Sequence, residues 1–303
     1  MAKYRTEAMD LIERRNQKYR AKHKRSTPLR ESWIRFKRNR TAIVGLVLIV
    51  LLLLIAIFAN VLAPYDYAKQ DYLALNQKPS AAHWFGTDNL GRDILSRCII
   101  GARYSLPIGF VSMVTSMLVG GLLGVVGAYF GGRTDEIIMR LMDIFQSIPG
   151  ALMSIAVIAA LGNGVFPLVL AITISFMPAC AKVCRAAIFT VKRAEYVESS
   201  RAIGAGGVRL MCRHMIPNAV GTIIIFAVSV MASCILIVST LSYLGLGLPT
   251  GTPEWGSLLS SGKDFIRSYP HMVLFPGLMI MLTLFAFNLF GDGLRDALDP
   301  RLK

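Results

Sequence analysis

The chain has 303 residues, of which 54% are hydrophobic, and its mean hydropathy is +0.53. This apolar content is gathered into long uninterrupted runs, which excludes an ordinary soluble domain and indicates a protein that crosses a membrane several times. The net charge of +15 does not indicate nucleic-acid binding, because the basic residues cluster beside the apolar runs and the sequence contains no nucleic-acid recognition motif.

The first hundred residues contain a basic segment, an apolar span and a polar loop. Residues 1–41 carry fourteen Lys and Arg against four acids, and the positive-inside rule places such an N-terminal block in the cytoplasm. Residues 42–63 carry no charge. A helix of this length, at about 1.5 Å per residue, is long enough to cross a hydrocarbon core of about 30 Å. Residues 64–103 are then predicted to form an extracytoplasmic loop.

Residues 104–292 are predicted to form a core of five further helices, followed by a cytoplasmic tail, 293–303. The predicted spans are 105–130, 144–161 with a kink at Pro149, 165–181, 219–246 and 271–289. A re-entrant segment in place of a full span remains an alternative for the third and fourth spans. Glycines four residues apart in the second span predict close packing against a neighbouring helix. The fold class predicted is therefore an all-α membrane protein with six transmembrane helices and both termini in the cytoplasm.

The predicted cytoplasmic loop 182–218 contains more structure than a simple connection needs. Glu195 to Ala202 contain no Gly or Pro and predict a short helix, which is followed by a glycine-rich turn and a basic second helix. Glu198 and Arg201 stand three apart and share a face of the short helix. Such an element is typical either of a surface that binds a partner protein or of an interfacial loop that binds lipid head groups. The residues alone do not separate these two interpretations.

This loop resembles the cytoplasmic EAA loop of ABC importer permeases. In that family the pattern is Glu-Ala-Ala, a glycine four residues beyond, and an Ile-Pro or Leu-Pro pair. Glu198, Ser199 and Ser200 stand at the first three positions, with serine in place of both alanines. Gly204 follows, and Ile216 and Pro217 end the pattern. The resemblance implies that the helix couples the chain to an ATPase through Glu195, Tyr196, Glu198, Ser199, Ser200, Arg201, Ala202, Gly204 and Pro217.

A second motif, HWFGTDNLGRDILSR, occupies residues 83–97. Its residue types predict a capped helix leading into the second span, with Thr87 or Asp88 as the cap and Asp88 paired with Arg92. The motif also resembles the FGTDxxGRDxxSR segment of dipeptide, oligopeptide and nickel permeases. Segments 244–256 and 291–301 match the same branch, and the resemblance runs from about residue 31 to the C-terminus.

The resemblance implies a type I ABC importer permease fold in the bacterial cytoplasmic membrane, and specifically the second permease subunit of such a system. The implied partners are a homologous permease, two cytoplasmic ATPase subunits that use ATP and Mg²⁺, an extracytoplasmic substrate-binding protein and membrane lipid, with no nucleic acid. The implied cargo is a dipeptide or oligopeptide, and nickel chelates and glutathione are alternatives. A stand-alone secondary carrier or channel is the alternative from a different class.

The chain is not predicted to be an enzyme or to bind a cofactor or metal itself. Residues 256–264, GSLLSSGKD, fail as a phosphate-binding loop, since the glycine spacing is wrong and Asp264 replaces the Mg²⁺-binding hydroxyl. The cores of four spans contain no charged residue, whereas carriers driven by ions usually need such groups at membrane depth. The hydroxyl side chains of the fifth span include those of Ser229, Ser233, Ser239 and Thr240. These four either line a translocation path or form hydrogen bonds between helices.

Overall fold

The computed structural model describes residues 34, 36, 37, 39–204, 206–249 and 251–298. The predicted basic N-terminal segment lies largely outside these residues, as do the last five residues of the predicted tail. The side chain of the predicted contact residue Arg201 also lies outside what the structure describes.

The described part of the chain is built from helices. In chain order they are α1 (Arg40–Ile57), α2 (Ala59–Leu62), α3 (Ile94–Phe130), α4 (Gly132–Ser147), α5 (Gly150–Leu161), α6 (Val165–Lys192), α7 (Glu195–Ala202), α8 (Gly207–Leu210), α9 (Ile216–Tyr243), α10 (Trp255–Gly262) and α11 (His271–Leu298). A π-helical turn, Met211–Met215, joins α8 to α9, and a 3₁₀ turn, Lys263–Phe265, follows α10.

Within the described ranges, five helices are long and apolar enough to cross a membrane: α1, α3, α6, α9 together with its π-helical turn, and α11. The predicted third span is not one kinked helix over residues 144–161. Instead α4 ends at Ser147, α5 begins at Gly150, and the two helices are bent by 85°. Pro149 lies in this break, where it cannot donate a helical N–H bond. The bent pair is either a broken sixth span or a re-entrant element.

The most extensive helix contact lies between α3 and α6, where two glycines let the backbones approach. A Cβ atom added to Gly124 would lie 2.9 Å from the carbonyl carbon of Ala181 and 3.0 Å from the amide nitrogen of Arg185. A Cβ atom added to Gly120 would clash with the backbone of Met177. The predicted close-packing role of these two glycines is confirmed, since only a residue without a side chain fits at either position.

Helix α3 runs past the predicted span at one end and stops where predicted at the other. It begins at Ile94, eleven residues before the predicted start, so the last part of the predicted loop 64–103 is helical. It ends at Gly131, whose φ of +68° suits glycine and reverses the chain into α4. The end of α3 lies beside the end of α6, where Lys192 contacts the carbonyls of Ala128 and Tyr129.

Candidate functional site: the connector between α6 and α9

The connector, residues 193–215, joins α6 to α9 and contains α7, α8 and the π-helical turn. One side chain fixes α7 to the bundle. Val197 is 1% exposed and belongs to an apolar cluster that also contains residues at the ends of α3, α6 and α9. Its buried neighbours there are Val125, Ala128, Cys184, Ala187, Ile188, Leu210, Met215 and Ala219. Among the described side chains of α7, Val197 is the one that is buried in this cluster.

Most of the other described side chains of α7 are exposed. Glu195, Glu198 and Ala202 are exposed, and Tyr196 is 44% exposed. Ile203, just beyond the helix, is 89% exposed. Large apolar side chains at the tip of a polar helix are typical of a surface that binds another protein.

The two serines of the motif satisfy their hydroxyls within α7. Ser199 Oγ donates to the carbonyl of Glu195 at 2.9 Å, and Ser200 Oγ donates to the carbonyl of Tyr196 at 2.7 Å. Neither hydroxyl needs a partner from outside the helix. Serine can therefore replace the alanines of the family pattern, because its side chain is small and its hydroxyl is hydrogen-bonded within the helix.

Glycines control the turn that follows α7. Gly204 has φ +89°, and no atom lies within 4 Å of the position that its Cβ would take. The reason for glycine there is the backbone angle and not the space, as the sequence predicted. Gly207 has the opposite reason, since an added Cβ would clash with the hydroxyl of Tyr129 at the end of α3. The connector is thus packed directly on α3 where α8 begins.

Lys192 attaches the end of α6 to the end of α3. Its ammonium donates to the carbonyls of Ala128 and Tyr129, both at 2.8 Å. These carbonyls lie in the last turn of α3, where no later N–H group of the helix can donate to them. A cation there also complements the helix dipole. Sequence reasoning missed this contact, because Lys192 reads as one more positive charge in a cytoplasmic loop.

Helix α4 is tied to the same end of α6 by two ion pairs. Arg185 binds Asp135 through two bonds, from Nε to Oδ1 and from one terminal nitrogen to Oδ2, each 2.5 Å long. Lys182 Nζ lies 2.6 Å from Asp143 Oδ1. The bidentate pair gives α4 a defined direction relative to α6, because both oxygens of the carboxylate are fixed.

The predicted second helix of the connector runs into the span without a stop. After α8 the chain makes the π-helical turn and enters α9, with Pro217 in its first turn as predicted. Asn218 Nδ2 donates to the carbonyl of His214 at 2.6 Å. A π turn leaves helical carbonyls without their usual donors, and a side-chain amide can replace one. No periodicity signal in the sequence indicates this turn.

The second motif, residues 83–97, forms buried contacts at the start of α3. Asp93, and not Thr87 or Asp88, is the N-cap of α3, and it accepts from the amide nitrogen of Ser96 at 2.7 Å. Asp88 does pair with Arg92 at 2.7 Å, but in the turn ahead of the helix. All of these side chains are buried. The predicted cap was therefore misplaced by five or six residues, while the predicted pair is confirmed.

Glu254, in the segment between α9 and α10, adds a buried carboxylate that contacts α3. Its carboxylate accepts from Ser105 Oγ on α3 at 3.1 Å and from the amide nitrogens of Gly256 and Ser257, both at 3.0 Å. Burial raises the pKa of this carboxyl above its ordinary value, while the donors around it act in the opposite direction. Residues 256–264 thus form α10 and the start of the 3₁₀ turn, with Glu254 as the helix cap, and they do not form a loop around a phosphate.

The four hydroxyl residues predicted on the fifth span do not share one environment. Ser229 and Thr240 are exposed and Ser233 is half-buried, and each bonds to a carbonyl of its own helix. Ser239 is 3% exposed and packs against Gly256 of α10. The outward face of α9 therefore carries Ser229, Ser233 and Thr240, together with Leu236 and Tyr243, which are 47% and 40% exposed.

Among the described residues, no group of three or more His, Cys, Asp or Glu side chains is arranged to hold a metal ion.

Comparison with known proteins gives consistent matches over nearly the whole chain. Residues 116–303 match the family model described as binding-protein-dependent transport system inner membrane component. Residues 27–79 match the model described as the N-terminal TM domain of oligopeptide transport permease C.

The chain is similar to the glutathione transport system permease protein GsiD of Pectobacterium atrosepticum, with 43% identity over 91% of this chain and 92% of that protein. It is also similar to the oligopeptide transport system permease protein OppC of Bacillus subtilis, with 42% identity over 90% of each chain. Among solved structures, an inward-facing MetNI methionine ABC transporter matches with a TM-score of 0.56 and 16% identity, over 68% of this chain and 96% of that one. At that identity the structural match supports the fold alone.

Proposed function

We propose that this chain, which belongs to the family of binding-protein-dependent transport system inner membrane components, is driven through α7 by ATPase subunits on the cytoplasmic side of the membrane. The family consists of multi-pass inner membrane permeases of ABC importers, and the energy source in such systems lies on separate subunits. The observation that carries the proposal is the contrast between one buried anchor, Val197, and the other described side chains of α7, most of which are exposed.

In this proposal α7 works as a joint between two bodies. The ATPases bind ATP and Mg²⁺, and their closure moves the exposed face formed by Glu195, Tyr196, Glu198 and Ile203. The contacts of Val197 in the apolar cluster, and of Gly207 on Tyr129, then pass this movement to the ends of α3 and α6. A transition of this type is a rigid-body rearrangement of packed helices, and it needs no chemistry on this chain.

We further propose that the outward face of α9 lines the translocation path together with a homologous permease. Ser229, Ser233 and Thr240 present small polar groups there, and their own helix already satisfies their hydrogen bonds. Such a surface lets a polar cargo pass without holding it tightly. Ser239 supports this face from behind, since it is buried against α10.

The orientation follows from charge. The connector and both termini are cytoplasmic, and the loop before α3 and the segment around α10 face outward, where a substrate-binding protein delivers the cargo. The cargo we propose is a dipeptide or oligopeptide, as for the permease named OppC. Glutathione is the second candidate, because a relative of 43% identity is named as its permease.

Cysteine cross-linking in the assembled transporter tests the proposed docking surface. Ile203→Cys should form a cross-link to an ATPase subunit, because residue 203 lies at the exposed tip of α7. Leu244→Cys serves as the matched control, since Leu244 is 55% exposed but follows the opposite end of α9. A cross-link from position 244, or none from position 203 in a complex that still transports, would contradict the proposal.

A further inference from the structure

The bundle carries a deep apolar groove that shares no lining residue with the connector or with the outward face of α9. It has a volume of about 800 Å³ and runs between α1, α3, α9 and α11. Its floor contains Leu52, Leu106 and Met231, each at most 5% exposed. Its edges carry Leu53, at 47% exposure, and Phe110, at 54%. Sites that hold a small organic ligand commonly have volumes of about 300 to 1,000 Å³.

One cationic side chain lines this otherwise apolar groove. Arg103 belongs to α3, is exposed, and donates from a terminal nitrogen to Asn60 Oδ1 at 2.8 Å. The ion pairs found in the described part of the chain do not include Arg103. Asn60 lies in α2, just past the end of the spanning helix α1 and before the polar loop. The guanidinium thus stands at the level where the apolar span ends, which is where a membrane has its phosphate groups.

We propose that this groove binds a phospholipid, with an acyl chain along the apolar floor and the phosphate on Arg103 and Asn60. The guanidinium offers donors in a planar fork that matches phosphate oxygens, and the Asn60 amide nitrogen adds a further donor. Charge complementarity therefore defines the head of the ligand, and the shape and apolarity of the groove define its tail. An anionic lipid such as phosphatidylglycerol fits best, since the groove offers a cation and no carboxylate.

A peptide cargo does not fit this groove, because the lining offers almost no acceptors or donors to a peptide backbone. A helix of a partner subunit would cover the apolar floor, but an apolar helix would offer no anion to the guanidinium of Arg103. A phospholipid supplies both an acyl chain for the apolar floor and an anion for the guanidinium of Arg103. This proposal stands independently of the coupling role of α7, because the groove shares no residue with the connector.

Native mass spectrometry of the assembled transporter, with palmitoyl-oleoyl phosphatidylglycerol as the probe, tests the proposal. Arg103→Gln should lower the occupancy of one bound lipid about fivefold, the loss expected when one basic group no longer faces an anionic head group. Arg103→Lys should keep most of the binding. Arg267→Gln is the control, because Arg267 is exposed but lies outside the groove, and it should leave the occupancy unchanged.

A second pair of variants tests the tail of the ligand without touching the charge. Ala56→Phe fills the groove and should displace the lipid, whereas Leu54→Phe places the same aromatic ring on the neighbouring exposed surface and should not. Equal lipid retention by Arg103→Gln and Ala56→Phe transporters and by the unaltered transporter would overturn the proposal. So would a photoreactive group at Leu53 that cross-links to another subunit in place of lipid, since that result would show a protein occupant.

Discussion

At the scale of single residues, α7 is informative because its neighbouring side chains have opposite environments. Val197 is fully buried, while Tyr196 beside it is 44% exposed. The pattern of charges and glycines in the sequence was sufficient to predict a docking helix with a glycine turn. It did not identify Val197 as the anchor, because a single valine in a short polar helix has no periodic partner that would reveal its burial.

Glu198 gives the first prediction at this scale. Glu198→Lys should abolish most transport while the protein still inserts and assembles its own helices, because Glu198 is exposed and forms no ion pair with another side chain that the structure describes. A reversed charge against a complementary partner surface costs several kcal/mol in binding. The measurement is co-purification of the ATPase subunits together with substrate uptake.

Asp264→Lys is the matched control for charge reversal. Asp264 is also exposed, but it lies in the 3₁₀ turn after α10. Uptake should stay close to normal in this variant. Normal ATPase binding by Glu198→Lys would remove Glu198 from the proposed interface.

At the scale of elements, the existence and order of the spanning helices were predictable because long apolar runs leave few alternatives. The break between α4 and α5 was not predictable, because a proline such as Pro149 is compatible both with a kink and with a bend of 85°. The π-helical turn before α9 and the contact of Lys192 with the end of α3 also left no signal in the sequence. These features depend on contacts between distant segments, which local patterns do not contain.

The contact between α3 and α6 gives the second prediction, from two glycines of α3 that stand three residues apart. Gly124→Ala should destabilise the protein by about 1–3 kcal/mol, as expected for overpacking, because the added methyl group meets the backbone of α6 at 2.9 and 3.0 Å. Gly121→Ala should be much milder, because its methyl group meets only the Sγ atom of Cys184, at 3.3 Å.

Thermal unfolding of the purified protein in detergent is the measurement for this pair. The alanine at position 124 should lower the midpoint by clearly more than the alanine at position 121. Equal midpoints would mean that α3 and α6 separate enough in solution to accept a side chain at their contact.

At the scale of the whole molecule, the proposed orientation has a direct test through a native thiol. Among the cysteines, Cys98, Cys180, Cys184 and Cys234 are buried, whereas Cys212 in the π-helical turn is exposed. An impermeant thiol reagent should leave Cys212 unmodified in intact cells and should modify it in inverted membrane vesicles. Modification in intact cells would place the connector outside and reverse the orientation.

If movement of α7 drives transport, the backbone angle of Gly204 in the turn after α7 should be critical for uptake. Gly204→Val forces a β-branched side chain into a backbone with φ +89°, a strain of about 1–3 kcal/mol, while the space around it is free. Gly206 is the matched control, since its surroundings are equally open and its backbone is not in the left-handed region.

The measurement is ATP hydrolysis and substrate uptake by the complete transporter in liposomes. Gly204→Val should lose uptake, either with the loss of ATPase subunits or with ATP hydrolysis that no longer depends on substrate, while Gly206→Val should keep both activities coupled. Normal, coupled uptake by the Gly204→Val transporter would contradict the claim that the connector is the joint.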